Sequence, residues 1–362
     1  MLEFAQAPSH LSDLTPRLER ICNKHCSLGV EPSQYPLVGK YLLSAFASIL
    51  GSAWTPEIEG AWAKAYGLLS NMFIGREAQL YREFGSWKGF PFMRIVRKVT
   101  EGDDAVCSFY LERLDGEPLP TFVPGQYVSV RVEVPSIGYL QARQYSLSDA
   151  PGAKYYRITV RRNQGLLRDS GCPVKSPPGL VSNVLLDRFE VGSLVGVSHP
   201  AGGFGFDPSP YNASPLVLVS AGSGVTPLMS IFNSVMSGLG GSRRPVSWVH
   251  FDAATSAKLP FEDEIKAVAS VRHTVQAKFL RGCAFAEEED QREWKIRAES
   301  LRVELGKLDP DLMHFDKSGA EYYLCGPTRF VRHVSAFLRD TGVMEDRIRT
   351  EWFATGSLNM TA

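Results

Sequence analysis

The chain is poor in cysteine, and its charges cancel. Six cysteines are scattered over 362 residues, and 39 basic residues balance 39 acidic ones. Cysteines so few and so far apart exclude a disulfide scaffold. Without a basic surplus there is no electrostatic argument for nucleic acid or for an acidic membrane surface. We therefore expect reduced thiols and no nucleic-acid partner.

Long apolar runs are also missing. No stretch of eighteen uncharged apolar residues occurs, so no membrane span is expected. The segment Met1–Ala5 lacks the basic start and apolar core of a signal peptide. With 44% hydrophobic and 22% charged residues, the composition is typical of a soluble globular protein, and we expect it in the cytoplasm.

One pair of cysteines raises the question of a metal site. Cys22 and Cys26 stand four apart on a predicted helix, with His25 between them. A structural zinc site needs two more ligands nearby, and none has suitable spacing. The simpler interpretation is that both are reduced thiols.

The hydrophobic period changes twice along the chain and divides it into three predicted domains. Residues 1–84 carry apolar side chains at three- and four-residue spacing, which predicts helices. Residues 88–207 alternate apolar and polar side chains between Gly and Pro, which predicts a small antiparallel barrel. Residues 214–362 begin with a continuous apolar run and then alternate between strand and helix patterns, which predicts a doubly wound α/β domain. The expected fold class is multidomain α and α/β.

Several element boundaries can be predicted from local signals. Thr55 and Pro56 form a helix start, with Thr55 as the N-cap. The predicted elements are helices over Leu14–His25 and Tyr35–Leu50, and strands over Phe92–Val99, Ala105–Leu111, Tyr127–Val134, Tyr155–Arg162, Leu216–Ala221, Val246–Phe251 and Tyr322–Cys325. The charged stretch Ala286–Lys307 predicts a solvated helix or loop.

A short motif in the second domain points to a flavin. The segment 124–127 reads P-G-Q-Y, and 143–146 reads R-x-Y-S, which resembles the FAD domain of ferredoxin reductases. The resemblance implies that Arg143 contacts the flavin pyrophosphate, Tyr145 packs on the isoalloxazine, and Ser146 lies near its N5. The other FAD-binding residues that it implies are Arg161, Arg162, Asn163, Gln164, Val181 and Ser182. Taken alone, the R-x-Y-S residues could be ordinary strand residues.

The third domain carries a glycine-rich turn directly after its first strand. Glycines let a backbone approach a pyrophosphate, and the helix N-terminus that follows favours its negative charge. The alternative interpretation is that these glycines form a tight turn with a structural role only. The same family resemblance implies that NAD(P)H binds at Gly222, Ser223, Gly224, Val225, Thr226, Pro227, Cys325 and Gly326.

The end of the chain departs from the family pattern. Residues 351–355 read Glu-Trp-Phe-Ala-Thr, where typical relatives read Glu-Cys-Phe-Gly-Pro. By position, Trp352, Phe353, Ala354 and Thr355 are assigned to the cofactor site, with Phe353 covering the flavin ring.

The first domain resembles the proximal half of a flavohemoglobin's globin, from the end of helix E through helix H. The residues that carry the resemblance lie at 24–30, 34–39, 63–66 and 73–78. It implies that His25 is the proximal ligand of haem b, that Tyr35 and Glu77 are the catalytic residues behind it, and that Lys24 and Glu351 tune electron transfer. A lone histidine on an apolar helix is otherwise more often a packing residue.

The resemblance covers almost the whole chain, from near residue 4, with no counterpart of helices A to D or of the distal tyrosine and glutamine. It implies FAD, NAD(P)H and haem as cofactors, and nitric oxide and oxygen as substrates of a nitric oxide dioxygenase. Two alternatives stay open. The reductase domains could act as an NAD(P)H diaphorase without functional haem, or the helical domain could bind a partner non-enzymatically.

Overall fold

The fold is known from a computed structural model. It describes residues 11–102, 105–165, 177–207, 212–238, 244–253, 258–283 and 291–353; for 11–16 and 291–298 it describes the backbone alone. Within these ranges the chain forms a helical unit, a β-barrel unit and an α/β unit, so the predicted fold class is confirmed.

The helical unit consists of α1 (Leu11–Leu28), α2 (Tyr35–Leu50) and α3 (Pro56–Glu83). The predicted bounds of α2 are confirmed, while α1 is three residues longer than predicted at each end. The predicted helix start is also confirmed, because the Thr55 hydroxyl accepts the Ile58 N–H at 3.4 Å.

A small core joins α1 to α3. Its buried members are Cys22, Cys26, Tyr35, Leu69, Phe73 and Leu80. By contrast, α2 keeps much apolar surface in solvent, including Tyr41 at 64% and Ile49 at 81% exposure. The segment Pro32–Ala53 is long and apolar enough, by length and composition alone, to cross a membrane. The criterion of eighteen uncharged residues does not select it, because Lys40 interrupts the run.

The barrel unit is a six-stranded antiparallel sheet with the order β4-β3-β6-β1-β2-β5. Its strands are β1 (Phe92–Thr100), β2 (Val106–Arg113), β3 (Tyr127–Val134), β4 (Tyr139–Ser146), β5 (Tyr156–Arg161) and β6 (Leu194–Val197). A bridge between Leu147 and Ile158 brings the outer strands β4 and β5 together, which closes the sheet. The helix α4 (Leu180–Arg188) packs Val181 and Leu185 into the core.

The α/β unit is a parallel sheet with the order β11-β10-β7-β8-β9. Its strands are β7 (Leu216–Ala221), β8 (Val246–Phe251), β9 (Val275–Leu280), β10 (Glu321–Gly326) and β11 (Ile348–Trp352). Its helices are α5 (Val225–Ser237), α6 (Glu262–Val271), α7 (Gln291–Gly306), α8 (Pro310–Met313) and α9 (Thr328–Asp340). Separate apolar clusters cover the two faces of the sheet, as in a doubly wound fold.

A buried polar chain crosses the middle of this sheet. The Trp248 indole N–H donates to the Ser220 hydroxyl at 3.1 Å, and that hydroxyl lies 2.8 Å from His250 Nδ1. Ser220 and His250 are buried in strands that are otherwise mostly apolar, so the hydrogen bonds offset the cost of burying these polar groups. His250 Nε2 is 3.7 Å from the Asp252 carboxylate, too far for a hydrogen bond.

Gly125 is required where the chain turns into β3. Its φ is +100°, and a Cβ there would collide with the carbonyl oxygen of Phe204. Gly116 has a φ of +72° with open space around it, so it shares the backbone strain without the collision. We expect Gly125→Ala to lower the thermal midpoint of unfolding by about 4–8 °C more than Gly116→Ala does. Equal midpoints, measured by circular dichroism, would contradict the close approach.

His250 makes folding stability depend on pH. Burial lowers its pKa below the unfolded value, which is about 6.5. The folded state therefore binds fewer protons, and the contribution is present above that pH and lost as pH falls below it. We expect His250→Asn to flatten the fall in unfolding free energy between about pH 7 and about pH 5.5, by up to about 1.4 kcal/mol per pH unit. Denaturant titrations should give unequal pH slopes; parallel slopes would refute the assignment.

Candidate cofactor sites and the helix between them

His25, Tyr35 and Glu77 meet around one carboxylate oxygen. The Tyr35 hydroxyl donates to Glu77 Oε1 at 2.5 Å, and His25 Nδ1 lies 2.8 Å from the same oxygen and 3.0 Å from the hydroxyl. Tyr35 and Glu77 are buried, while the His25 side chain is 31% exposed. Three residues separated by up to 52 positions in sequence thus form one hydrogen-bonded group.

The partners of His25 determine which of its nitrogens is available. A carboxylate accepts only, so the proton is assigned to Nδ1 and the lone pair to Nε2. Burial and the hydrogen bond to Glu77 raise the pKa of Tyr35, which keeps its hydroxyl protonated as a donor. A histidine held in this way is a suitable single-nitrogen ligand for iron.

The wider surroundings hold the group rigid. The Tyr66 hydroxyl donates to the Tyr35 carbonyl at 2.6 Å, and the Phe73 ring meets the His25 ring edge-on at 5.8 Å. Gly39 lies under the Tyr66 ring, where a Cβ would be 2.5 Å from the nearest ring atom. Glu77 Oε2 is buried with no hydrogen-bond partner among the described residues.

The two cysteines beside this group are buried thiols. Burial raises the pKa of both Cys22 and Cys26 to about 12, so both stay protonated near neutral pH. No cluster of three or more His, Cys, Asp or Glu side chains suited to a metal occurs within the described ranges. A haem, which needs only one ligand from this side of the protein, could bind through His25.

The barrel brings two stretches of the predicted FAD site together. The Asn163 carbonyl accepts the Gly179 N–H at 2.9 Å and the Asn183 amide at 2.8 Å, joining the end of β5 to the start of α4. Gly179 caps α4 without a side-chain hydrogen bond, and a Cβ on it would collide with the Ser182 hydroxyl. The first amides of α4 therefore face a cradle that suits a phosphate. Gln164, next to this cradle, is exposed, and Val181 is buried.

The R-x-Y-S residues occupy the end of β4. Arg143 is exposed, and its Nη1 donates to the Ala142 carbonyl at 2.8 Å. Tyr145 is half-buried against the barrel core, and Ser146 is buried opposite Tyr127 in the register of β3 and β4. Burial raises the pKa of Tyr145. The Arg143 cation, the Tyr145 ring and the Ser146 hydroxyl thus follow one another along the end of β4.

The two arginines at the end of β5 have protein partners. Arg161 Nη2 donates to the Asp252 carboxylate of the α/β unit at 2.9 Å, and Arg162 Nη2 donates to Asp187 of α4 at 2.6 Å. Sequence reasoning assigned both to the flavin and did not identify Asp252. Its position directly after β8, where ligands of α/β sheets bind, is the signal that could have identified it.

The glycine-rich turn lies against the end of β10. Gly222 has a φ of +52°, and a Cβ on Gly224 would collide with the Cys325 carbonyl. α5 then begins at Val225, and the buried Thr226 donates to the Ser223 carbonyl at 3.0 Å. Together with Arg161, this turn lines a cleft between the barrel and α/β units. The edge of the sheet, the start of α5 and the Arg161 cation together suit the binding of a dinucleotide phosphate.

The second nicotinamide segment lies beside this turn. Cys325 and Gly326 are buried at the end of β10, and Trp352 is paired with Gly326 in the neighbouring strand. Phe353 is 37% exposed directly after β11. Pro227 is buried in the first turn of α5. The predicted residues Ala354 and Thr355 lie outside the described residues.

The helix α1 contacts both the barrel unit and the α/β unit. The buried Ser27 hydroxyl accepts from Ser129 Oγ at 3.1 Å and from the Gln144 amide at 3.0 Å, on β3 and β4. The Asn23 side chain accepts the Gly202 N–H at 3.0 Å. Sequence reasoning missed these contacts, because Ser and Asn on a helix carry no distinctive pattern.

Of the two residues assigned to electron-transfer tuning, Lys24 is exposed, whereas Glu351 is paired. The partner of Glu351 is Arg20, one turn before Lys24, at 2.7 Å. Burial raises the pKa of Glu351, while the Arg20 charge opposes that shift.

Comparisons with known proteins agree with this arrangement. The globin family model matches residues 2–73, and the oxidoreductase NAD-binding domain model matches residues 218–336. A flavohemoprotein from Bordetella parapertussis is 39% identical over 359 residues, covering 96% of this chain and 83% of the relative. One from Bacillus thuringiensis is 37% identical over 348 residues, covering 95% and 81%.

Solved structures give the same result. The flavohemoglobin from Malassezia yamatoensis, crystallised with bound FAD and haem, has a TM-score of 0.70 at 26% identity and covers 94% of this chain and 80% of its own. The FAD/NAD-binding domain of a nitric oxide dioxygenase from Vibrio cholerae has a TM-score of 0.57 at 26% identity and covers 74% and 100%. Because one relative matches 96% of this chain at 39% identity, across both the globin and the reductase parts, this chain belongs to the flavohemoprotein family.

Proposed function

We propose that the chain is a flavohemoglobin-type nitric oxide dioxygenase, taking electrons from NAD(P)H through FAD to haem. The observation that carries the proposal is the group formed by His25, Tyr35 and Glu77. Glu77 Oε1 accepts hydrogen bonds from both Tyr35 and His25 Nδ1. A globin unit that only stored oxygen would not need a buried carboxylate at this position.

The role of each residue follows from its contacts. When bound, haem supplies the centre at which oxygen converts nitric oxide to nitrate, and FAD supplies the conversion of a hydride into single electrons. His25 would present Nε2 to the iron. Glu77 draws the Nδ1 proton toward itself, which makes the imidazole a stronger electron donor, and Tyr35 fixes the carboxylate.

The reductase residues would bind the other two cofactors. In the barrel, Tyr145 and Ser146 would contact the flavin ring, and the start of α4 at Val181 and Ser182 would receive its phosphates. In the α/β unit, the turn at 222–227 would hold the NAD(P)H phosphates, and Cys325 would lie by the nicotinamide. The cation of Arg161 reaches the same cleft from the barrel.

The substrates, nitric oxide and oxygen, are small and uncharged. They need no charged binding site, which agrees with the balanced charge of the chain. We place the reaction in the cytoplasm. The unpaired cysteines among the described residues fit a reducing compartment.

The haem assignment can be tested by removing His25. The chain is purified, mixed with haemin, and its visible spectrum recorded with NADH and nitric oxide. We expect a histidine-ligated Soret band and nitric oxide-dependent NADH oxidation in the parent, and loss of both in His25→Ala, because the variant lacks the imidazole whose Nδ1 is held by Glu77 and whose Nε2 would bind the iron.

The exposed His273 of the α/β unit provides the matched control, and His273→Ala should keep the parental spectrum. A histidine-type spectrum retained by His25→Ala would overturn the ligand assignment. A parent with no Soret band that still oxidises NADH with artificial acceptors would replace the dioxygenase with the diaphorase alternative.

The flavin site can be tested at the end of β4. Replacing Tyr145 with Leu and Ser146 with Ala in one variant removes a ring contact and a hydrogen bond, together on the order of 1–3 kcal/mol. We expect NADH oxidation with ferricyanide to slow by about tenfold or more, since 1.4 kcal/mol is about tenfold in rate. Tyr139→Leu, at the exposed start of the same strand, is the control. An unchanged rate in an FAD-loaded double variant would refute the placement.

A further inference from the structure

Arg20 joins the helix that carries His25 to the edge of the α/β sheet. Its Nη2 donates to Glu351 Oε1 at 2.7 Å, and its guanidinium carbon lies 4.7 Å from the centroid of the Trp352 ring. Glu351 and Trp352 are consecutive residues of β11, the edge strand of the sheet. One cation therefore holds two neighbouring side chains of another unit.

The two contacts reinforce each other. The planar guanidinium can donate to a carboxylate along its edge while its face covers an aromatic ring, which an ammonium cannot do as well. The Glu351 side chain is only 24% exposed, so its charge depends on a partner more than a surface carboxylate does. Within the described residues, Arg20 is the cation that lies within ion-pair distance of Glu351.

The position of Arg20 links two sites. It precedes His25 by five residues on α1, which is about 7.5 Å along a helix axis. In the sheet, Glu351 is paired with Cys325 and Trp352 with Gly326. The contact thus connects the helix of the haem ligand to the strand pair that carries the nicotinamide residues.

Other contacts of α1 run to the barrel and within the helical unit. Ser27 and Asn23 tie the helix to the barrel, at β3, β4 and Gly202. The pair of Glu19 with Arg76 stays inside the helical unit, between α1 and α3. Neither set reaches β11.

We propose that Arg20 is a positioning residue that clamps α1, and with it His25, to the α/β unit through Glu351 and Trp352. The effect of this clamp on electron transfer rests on the proposed function, in which electrons pass from the flavin to the haem. Electron transfer through protein slows steeply as the distance between the two cofactors increases. Without Arg20, α1 keeps its contacts with the barrel but loses the ion pair with Glu351 and the ring contact with Trp352.

The test compares Arg20→Gln with Arg76→Gln. Both remove one arginine charge paired to a carboxylate, but only the first removes a contact between units. In FAD-loaded protein without haem, we expect Arg20→Gln to raise amide hydrogen exchange at residues 348–352 by about fivefold. Arg76→Gln should leave exchange there unchanged. This readout needs no haem.

In haem-loaded protein, rapid mixing with NADH under anaerobic conditions separates flavin reduction from haem reduction. Arg20→Gln is expected to slow haem reduction about fivefold, while NADH oxidation with ferricyanide keeps its parental rate. High salt should slow the parent toward the variant, because it screens the ion pair. Arg20→Lys, which keeps the charge without the planar face, should lie between the two.

A charge exchange distinguishes a clamp from a folding defect. The double variant Arg20→Glu with Glu351→Arg restores an ion pair in the opposite sense and should recover exchange protection at 348–352. Parental exchange in Arg20→Gln, the same change in Arg76→Gln, or no recovery in the double variant would each overturn the clamp. A preparation that binds no haem would instead refute the proposed function and leave the exchange result to decide the clamp.

Discussion

The hydroxyl of Ser27 ties the helical unit to the flavin barrel. It is buried, accepts from Ser129 and Gln144 on two adjacent strands, and donates to the Lys24 carbonyl on its own helix at 2.8 Å. A buried hydroxyl tolerates few arrangements, because each lost hydrogen bond leaves a polar atom without water. It therefore fixes how α1 lies on the barrel, and the position of His25 follows from it.

The three cofactor sites depend on this placement in different ways. The group around Glu77 is built inside the helical unit and needs only α1, α2 and α3 to pack. The cradle at the start of α4 is likewise internal to the barrel. The nicotinamide cleft is shared, because Arg161 enters it from the barrel while its counterion Asp252 belongs to the α/β unit. A cleft shared between units can change width when the two move relative to each other.

Titratable groups at the junctions between units keep one protonation state near neutral pH. Burial raises the pKa of Tyr127, which lies against Gly202, to about 12. Burial lowers the pKa of His199, whose ring stacks on Phe84 at 4.1 Å where the helical unit meets the barrel. Neither group changes charge near neutral pH, so the junctions keep their hydrogen bonds across the physiological range. Arg20 and Glu351 differ, because they attract each other as a pair of opposite charges, which salt weakens.

Local patterns in the sequence determined much of the fold. Thr55 caps α3 because its side chain reaches an amide three residues on, and the apolar run Leu216–Ala221 is a buried central strand. Both follow from neighbouring residues alone. The strands β4, β6, β9 and β11 were not predicted, because exposure alternates weakly along them and the sheet, not their own sequence, selects the strand.

The candidate site likewise combines features that the sequence determined with features that only the tertiary structure determined. The sequence by itself determined the order of the motifs and, through resemblance, the choice of His25, Tyr35 and Glu77. Only the tertiary structure decided that Arg161 pairs with Asp252 and that Arg20, not Lys24, holds Glu351. Those pairs join residues 91 and 331 positions apart, and such distances are set by how the units pack. A charged side chain on a helix or strand has many compatible partners, and packing selects one of them.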